Sequence, residues 1–408
     1  MTVNIDRIQY DLEKINAFNA TPDRGITRLT FSKEYQKAQA YIIDQLRQID
    51  AQISISHGGN LTGRIVGSHS RGPAVMLGSH LDTVVNGGRF DGLAGVVCAL
   101  ETARVIVEGG IAHRLPLDVV VFAEEEGARF GRGLLGSSVW TGAIDRARLQ
   151  EIKDDDGVSY LEAMALAGLT VDDQDRLEPA NLRAMLEVHI EQGATLEKKG
   201  KRIGLVEAIV GINQFEVTIE GMANHAGTTA MAHRLDALQG AVRIIAAVED
   251  IALRTAASTV VTVGKVVCDP GQSNVIPGRV KFSLDVRDAD AAAIESAVAQ
   301  IIQVADTVCK DRGLTFKITP GTRAAPVALS GSLIELMDQK ASEMQIKPLR
   351  MDSGAGHDTA VMAGLTESAM IFLPSKDGRS HCPEEFTSPE DIKLGCELLL
   401  ATAIELSR

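Results

Sequence analysis

A histidine and two aspartates lie within a dozen residues of one another in the segment GSHLDTVVNGGRFDG. His80 and Asp82 form a His-x-Asp pair at the end of an apolar run, and Asp91 follows between glycines. Imidazole and carboxylate together suit a borderline divalent cation such as zinc, and a carboxylate can fix the tautomer of a histidine ligand. The glycines permit a tight turn that returns the Asp91 carboxylate toward the strand end. His80 alone is typical of a polar loop, but the segment as a whole indicates a metal site with Asp82 as the partner of His80.

Three consecutive carboxylates follow the apolar run LDVVVFA in the segment FAEEEGARF. An acidic run is usually a solvated loop, but unpaired carboxylates at the end of a buried strand are costly. That cost is resolved if one glutamate binds a metal and its neighbour acts as a general base, because a metal lowers the pKa of bound water. The segment Glu124–Glu126 therefore predicts both a metal ligand and a base.

Two further histidines follow predicted strands, His189 in RAMLEVHIEQG and His381 in FLPSKDGRSHCPEE. Each histidine by itself is more typical of a structural residue than of a ligand. Together with His80, Asp91 and the glutamates, they form a set of nitrogen and oxygen donors large enough for two ions. The complete set, rather than any single member, predicts a two-metal centre.

The elements that must position these residues alternate between short β-rich runs and helical patterns. Apolar residues at helical spacing predict a helix in the first twenty residues and a second from about Ser32 to Ile49. The later alternation of strands and helices predicts an α/β fold with a mixed, mostly parallel, helix-flanked sheet. Sites in such sheets lie at the carboxyl ends of the strands, where His80, the glutamates and His189 are expected.

The pattern changes between about Gly211 and Pro326, where it reads β-α-β-β-α-β and is typical of a ferredoxin-like α+β sandwich. Alternating strands and helices then resume. We therefore expect a discontinuous catalytic domain of residues 1–210 and 327–408, interrupted by an inserted domain of residues 211–326. A length of 408 residues agrees with two domains.

Composition narrows the class of protein. A formal net charge of −13 disfavours a nucleic-acid partner, because phosphate binding depends on clustered Lys and Arg. The N-terminus lacks the features of a signal peptide, and no stretch is expected to reach membrane-spanning length. Five scattered cysteines suit reduced thiols. We expect a cytoplasmic protein that binds neither nucleic acid nor membrane.

Seven segments in consistent order over nearly the whole chain resemble one family: GSHLDTVVNGGRFDG, EEEGARFGRGLLGS, HIEQG, NHAGTTAM, SNVIPG, SGAGHD and SHCPEE. They resemble the metal-dependent aminoacylase/carboxypeptidase superfamily and, within it, the amidase, hydantoinase and carbamoylase branch. The resemblance implies a dinuclear metallopeptidase-like catalytic domain and an inserted lid domain that forms a homodimer. It also implies two divalent ions per subunit, for which zinc, manganese, cobalt and nickel are all suitable.

The resemblance implies roles for individual residues as well. Asp91 is expected to bridge the two ions, and the other expected metal ligands are His80, Glu126, His189 and His381. Glu125 is expected to be the general base. His225 of the inserted domain is expected to stabilise the developing oxyanion, in relatives often across a dimer interface. The expected substrate contacts are Gln192, Asn274, Arg287, Gly356 and His357.

Arg287 also has a rationale of its own, because a guanidinium can bind a planar carboxylate through two parallel hydrogen bonds. An ordinary salt bridge of Arg287 with Asp285 or Asp288 is the alternative.

The resemblance implies hydrolysis of the ureido C–N bond of an N-carbamoyl-L-amino acid, with release of amino acid, carbon dioxide and ammonia. Allantoate is the alternative substrate, since Glu124 before the paired glutamates is expected of allantoate-type enzymes. Hydrolysis of N-acyl amino acids or dipeptides is a further alternative, which the HIEQG and NHAGTT segments disfavour. A non-catalytic metal-binding protein would lack a base, whereas this chain has Glu125.

Overall fold

The computed structural model describes residues 2–169 and 176–408. Its α-helices are α1 (Ile5–Asn16), α2 (Lys33–Arg47), α3 (Leu93–Glu108), α4 (Leu135–Trp140), α5 (Tyr160–Leu166), α6 (Thr195–Lys198), α7 (Ala237–Thr255), α8 (Ala291–Arg312), α9 (Gly331–Glu343), α10 (Asp358–Met362) and α11 (Pro389–Ser407). The first two agree with the helices expected from apolar spacing. Each begins after a residue whose side chain accepts a backbone N–H, Asn4 for α1 and Ser32 for α2.

The strands are short and distributed along the whole chain. They are β1 (Gln52–Ile55), β2 (Leu61–Ile65), β3 (Ala74–His80), β4 (Leu117–Phe122), β5 (Leu182–Ile190), β6 (Gly204–Ile209), β7 (Gly211–Glu220), β8 (Asn224–His225), β9 (Val260–Thr262), β10 (Val266–Asp269), β11 (Val275–Ile276), β12 (Arg279–Asp288), β13 (Thr315–Ala324), β14 (Val327–Ala328), β15 (Leu349–Ser353) and β16 (Ser368–Leu373).

The chain divides into two compact units. One contains the residues up to Glu207 together with Leu329–Arg408, and the other is Ala208–Ala328. The sequence places the inserted domain at residues 211–326, inside the second unit. The roles of that unit as a lid and a dimerisation domain stay predictions.

The first unit is built on one mixed sheet, in which the strands run in the order β1-β2-β4-β3-β5-β16-β6. The central strands β4, β3, β5 and β16 are parallel, whereas β1, β2 and β6 add antiparallel edges. This arrangement confirms the predicted fold class. His80 pairs in register with Phe122, and His189 with Phe372, so the central strands end at one edge of the sheet.

Helix α3 starts two residues after Asp91 and is buried along almost its whole length. A helix that is apolar on all sides belongs in the interior, and α3 lies among β3, β4, β5, α1 and α11. Its position fixes the loop that carries Asp91 against the carboxyl edge of the sheet.

The second unit has its own sheet, in the order β10-β12-β7-β13, with β9 also paired to β12. Helices α7 and α8 cover it, and their buried residues share one apolar core with the sheet. The expected β-α-β-β-α-β pattern is present, except that the segment TVVTVGKVV between α7 and β12 forms two short strands, β9 and β10, where the pattern has one. Strands β8 and β11 form a separate antiparallel pair.

Helix α8 is long and apolar enough, by length and composition alone, to cross a membrane. The expectation that no stretch reaches membrane-spanning length is therefore wrong for this helix. Its buried residues Ile294, Ala297, Ile301 and Ala305 recur every three or four positions and belong to the core of the second unit. This spacing is that of a helix packed on a sheet.

Candidate metal centre

His80 is the last residue of β3, and its side chain is almost fully buried. The chain returns to it at Gly92, which precedes α3 with φ of 64°. A Cβ atom at Gly92 would collide with the His80 imidazole. Both the backbone angle and the close approach therefore require glycine at this position, and they bring the neighbouring Asp91 next to His80.

Asp91 lies at the centre of three histidines that come from distant parts of the chain. Its Oδ1 atom is 3.1 Å from His189 Nε2 and 3.5 Å from His80 Nε2. Its Oδ2 atom is 3.2 Å from His381 Nε2. The two oxygens of one carboxylate thus face different histidines, which is the arrangement that a ligand shared by two ions requires.

Two groups of possible metal ligands share this carboxylate. One consists of His80, Asp91 and His189, all buried, and the other of Asp91, Glu126 and His381. In the second group, His381 Nε2 is 3.4 Å from Glu126 Oε2. The structure therefore brings together all five residues that the sequence proposes as metal ligands.

A third possible group contains Glu187, His189 and His357. The Glu187 carboxylate already accepts hydrogen bonds from the hydroxyls of Ser79 and Thr359. Those bonds connect β5 to β3 and to α10, which is a structural role for Glu187.

Asp82 supports the site differently from the sequence expectation. His80 Nδ1 lies 3.0 Å from the backbone carbonyl oxygen of Asp82 and 4.0 Å from its carboxylate. Asp82 is thus the partner of His80 as expected, but the contact is made by its backbone carbonyl oxygen and not by its carboxylate. The carboxylate instead accepts the backbone N–H groups of Glu125, at 3.2 Å, and Glu126, at 3.0 Å. It fixes the turn that presents both glutamates.

Several carboxylates lie close together at this edge of the sheet, and their pKa values are shifted. Burial raises the pKa of Glu125 well above its usual range, and the charge of Glu126 raises it further. Burial and the charge of Asp91 raise the pKa of Glu126 to about 7. For Asp91, burial acts upward, but hydrogen bonds with His189, His381 and His80 hold its pKa well below the usual range.

The pKa values of two of the neighbouring histidines are raised as well. Hydrogen bonding to Asp91 raises the pKa of His381 to about 9. Burial opposes protonation of His80, yet the nearby charge of Glu125 and the bond to Asp91 raise its pKa well above the ordinary value. The cluster therefore attracts positive charge. Divalent cations fit this donor set, and the buried Oε1 atom of Glu126 has no hydrogen-bond partner among the described residues.

Gln192 lies against the same carboxylate. Its Nε2 atom donates to Asp91 Oδ2 at 2.8 Å, and its backbone, with φ of 59°, is held by donation from its N–H to Ser375 Oγ. Left-handed backbone at a non-glycine residue is costly and often marks a functional loop. Gln192 is thus fixed at the edge of the site.

His357 stacks edge-on against the His189 ring, with 4.5 Å between ring centroids, and its Nε2 lies 2.9 Å from Ser353 Oγ. Burial and the neighbouring His189 lower the pKa of His357 well below its ordinary value. The preceding Gly356 has space beside it, because a Cβ there would meet no atom within 4 Å. His357 is therefore a buried, neutral neighbour of a proposed ligand.

Glu124 does not face the centre as its two successors do. Its Oε1 atom accepts the backbone N–H groups of Arg129, at 3.2 Å, and Phe130, at 2.9 Å. Burial, together with the charge of Asp82, raises its pKa to about 7. These contacts stabilise the turn that follows β4.

The residues expected from the inserted unit have local surroundings of their own. His225 and Asn274 are neighbours, because Ala226 donates its backbone N–H to the Asn274 carbonyl beside the β8–β11 pair. Arg287 binds Asp285 through two hydrogen bonds, of 2.8 and 3.0 Å. The alternative of a salt bridge with Asp285 is thus present in the structure.

Sequence reasoning missed Ser380 and Glu385, which lie on either side of His381. Ser380 Oγ is 3.0 Å from Asp91 Oδ2, and Glu385 accepts the backbone N–H of Asp91. The segment SHCPEE draws attention to both residues. It does not reveal that Glu385 is buried while its neighbour Glu384 is exposed.

Replacement of Asp82 by alanine is expected to weaken metal binding about 10- to 100-fold, the usual effect of losing a supporting group behind metal ligands. The N–H groups of Glu125 and Glu126 lose their shared acceptor, so Glu126 is no longer held in place. Calorimetric titration with Mn²⁺ measures the change.

The matched control is Asp236→Ala, which removes another buried carboxylate that accepts two backbone N–H groups, those of Leu238 and Gln239. It is expected to cost stability without changing metal affinity. An Asp82→Ala protein that binds Mn²⁺ as tightly as the unaltered protein would refute the supporting role.

Comparison with known proteins identifies similar chains of almost the same length. The profile of Peptidase family M20/M25/M40 matches residues 76–405. An N-carbamoyl-L-amino-acid amidohydrolase of Paenarthrobacter aurescens is 36% identical over 405 residues, covering 99% of this chain and 98% of the relative. An allantoate amidohydrolase of Bacillus subtilis is 34% identical over 391 residues, covering 95% and 94%. The crystal structure of an amidase of the hydantoinase/carbamoylase family from Burkholderia multivorans superposes with a TM-score of 0.95 at 32% identity, covering 100% and 98%.

Proposed function

The chain belongs to Peptidase family M20/M25/M40, in its amidase, hydantoinase and carbamoylase branch, and is a hydrolase of C–N bonds; from this we propose that it cleaves the ureido C–N bond of N-carbamoyl-L-amino acids. The products are the free amino acid, carbon dioxide and ammonia. The family is metal-dependent, which agrees with the groups of possible metal ligands in this chain.

The observation that carries the proposal is the position of Asp91 between two groups of ligands. We propose that His80, Asp91 and His189 hold one divalent ion, and that Asp91, Glu126 and His381 hold the second. Zinc, manganese, cobalt and nickel all suit these mixed imidazole and carboxylate donors. Bound ions would supply Lewis-acid polarisation of the substrate carbonyl and a lowered pKa for water.

Glu125 is the proposed general base. Its carboxylate lies 3.7 Å from His80 Nε2, and its backbone is fixed by Asp82. Burial raises its pKa, so the ionised carboxylate is a strong proton acceptor. Glu125 takes a proton from the attacking water and later delivers it to the leaving nitrogen.

His225 is the proposed donor to the oxyanion. Its Nδ1 atom accepts the backbone N–H of Gly227 at 3.0 Å. In the neutral ring the proton must then be on Nε2, which is left as a hydrogen-bond donor. A histidine in this tautomer can stabilise negative charge that develops on the substrate oxygen.

Arg287 and Asn274 are the proposed contacts of the substrate carboxylate, and Gln192, Gly356 and His357 are the proposed lining of the pocket. The two hydrogen bonds of Arg287 to Asp285 hold its guanidinium in one orientation. A guanidinium that is already fixed loses less side-chain entropy when it binds a carboxylate.

Arg287→Lys is expected to raise KM about 10-fold or more while kcat changes little, because lysine cannot form two parallel hydrogen bonds to a carboxylate. Steady-state kinetics on the preferred substrate measure both constants. Arg279→Lys is the matched control, because Arg279 lies on the same strand and pairs with exposed Glu220. If Arg287→Lys lowers only the stability of the protein, the salt bridge with Asp285 is the whole role of Arg287.

Allantoate is the second candidate substrate, because a relative of comparable identity and coverage is named an allantoate amidohydrolase. Allantoate, like N-carbamoyl amino acids, carries a carboxylate and a ureido group. Both substrates therefore make the same demands on the proposed centre.

The test is to remove metal with a chelator, restore Mn²⁺ or Zn²⁺ separately, and measure ammonia release. The substrates are a panel of N-carbamoyl-L-amino acids, N-carbamoyl-β-alanine and allantoate, with the unrestored protein as control. We expect metal-dependent turnover of an N-carbamoyl-L-amino acid far above the others. Preference for allantoate would favour the second candidate, and no turnover of any of them would redirect the search to N-acyl amino acids and dipeptides.

A homodimer and a cytoplasmic location complete the proposal. The homodimer is the expected state of this branch, with His225 acting across the interface. Light scattering of the purified protein measures its mass in solution, and the mass of a single chain would contradict the dimer.

A further inference from the structure

Glu385 joins two loops that the sequence keeps far apart. It is almost fully buried, and its Oε1 atom accepts the backbone N–H groups of Phe90, at 2.8 Å, and Asp91, at 3.0 Å. These bonds connect the loop after β16 to the loop before α3. Buried N–H groups need acceptors, and here one carboxylate oxygen serves both.

The second oxygen of Glu385 continues the connection. Ser380 Oγ lies 2.7 Å from Glu385 Oε2 and 3.0 Å from Asp91 Oδ2. Glu385 is thereby linked to Asp91 twice, through its backbone directly and through its side chain by way of Ser380. We call these two residues, Ser380 and Glu385, the carboxylate clamp.

The clamp borders the more exposed half of the candidate centre. His381 follows Ser380 directly, and its side chain is 49% exposed, whereas those of His80 and His189 are 1% exposed. The backbone of His381 also has φ of 56°, a left-handed conformation that is uncommon outside glycine. Packing holds the two buried histidines, so His381 depends most on the bonds of its own loop.

Gly88 leaves the space that the clamp occupies. A Cβ atom at position 88 would collide with the Glu385 carboxyl group. An alanine there would displace the carboxylate without removing it, which offers a second way to disturb the clamp.

We propose that Glu385 is a positioning residue that sets the affinity of the metal site formed by Asp91, Glu126 and His381, acting through the Asp91 backbone and through Ser380. The inference rests on the proposed metal centre. It adds that Glu385, which is not itself a proposed metal ligand, controls the affinity of one of the two metal sites.

Glu385→Ala is expected to bind the second ion about 10- to 100-fold more weakly, as for other supporting groups behind ligands. The first ion is expected to lose less affinity, because Asp91 belongs to both ligand groups but the other two ligands of the first group are buried histidines. Mn²⁺ titration by calorimetry, with metal content measured after dialysis, gives the affinity and number of both ions without any substrate. Circular dichroism and thermal unfolding report whether the variant is folded.

Two further variants test whether the effect comes from the position of the Glu385 carboxyl group, from its charge or from loss of folding. Glu385→Gln keeps an oxygen that can accept both N–H groups, so it is expected to restore the second affinity to within about 3-fold of the unaltered protein. Gly88→Ala is expected to reproduce the effect of Glu385→Ala, and the double variant to be no worse than either, because both act on one contact. Glu384→Gln is the matched control, because the exposed Glu384 pairs with Arg379 at the surface.

The outcomes are distinguishable. A folded Glu385→Ala protein that binds two ions with unaltered affinities overturns the inference but leaves the proposed function standing. A Glu385→Gln protein as weak as Glu385→Ala assigns the effect to charge and also overturns it. If Glu385→Ala does not fold, Gly88→Ala decides the matter on the same titration. An unaltered protein that binds neither Mn²⁺ nor Zn²⁺ overturns the metal centre itself, together with this inference.

Discussion

Glu125→Gln is expected to lower kcat by about 10²- to 10⁴-fold, the range that general acid–base catalysis contributes, while the protein keeps both metal ions. Glutamine has nearly the same shape but cannot take a proton from water. Asp82 would still hold the backbone, because it accepts the N–H of residue 125 and not its side chain. Turnover and metal content measured on the same preparation test the two halves of this expectation.

The neighbouring Glu124→Gln is the matched control for this variant. Glu124 accepts two backbone N–H groups through one oxygen, which a glutamine oxygen can also accept. We therefore expect nearly normal kcat for Glu124→Gln. Normal turnover in Glu125→Gln would remove Glu125 from the proposed chemistry. Loss of metal from that variant would instead indicate that Glu125 is a metal ligand.

Asp91→Ala is expected to abolish the binding of both ions, and with it turnover, whereas His381→Ala is expected to retain one ion. The reason is geometric: Asp91 approaches His80 and His189 through Oδ1 and His381 through Oδ2, while His381 belongs to only one ligand group. The alanine at position 91 also leaves three histidines close together without the carboxylate that pairs with them. Metal analysis of dialysed protein counts the ions in each variant.

His69→Ala is the control for removal of a histidine, because His69 is exposed and belongs to none of the groups of possible metal ligands among the described residues. It should retain two ions. An Asp91→Ala protein that keeps one ion would show that the two groups do not share this carboxylate. A His381→Ala protein that loses both ions would show that the two sites fill only together.

The Glu125→Gln and Asp91→Ala variants test different properties of the site. Glu125 is tested with the ions in place, so its effect is on the chemical step. Asp91 is tested by counting ions, so its effect does not depend on the choice of substrate. Together they separate failure of the base from failure of the centre.

Glu124 is the residue on which the sequence distinguishes the two candidate substrates. Its buried carboxylate accepts backbone hydrogen bonds from Arg129 and Phe130 within its own turn. A residue used in this way reports the conformation of a turn. The substrate panel therefore carries the decision.

The fold class and the set of proposed metal ligands are predictable from the sequence alone. Short apolar runs ending in His80, Glu124–Glu126 and His189 predict parallel strands, and the carboxyl ends of such strands meet at one edge. The register of the sheet brings them there, with His80 beside Phe122 and His189 beside Phe372. This much is readable because the period of a strand and the place where it ends are local properties of the chain.

The individual atomic contacts in the site depend on the tertiary structure and are not predictable from the sequence. The partner of His80 Nδ1 is the Asp82 backbone carbonyl rather than its carboxylate, and Glu385, not Glu384, supports Asp91. The physical reason is that loop backbone directs these side chains. Gln192 and His381 adopt left-handed φ values, which are uncommon outside glycine, and contacts with the sequence-distant Ser375 and Asp91 hold them there.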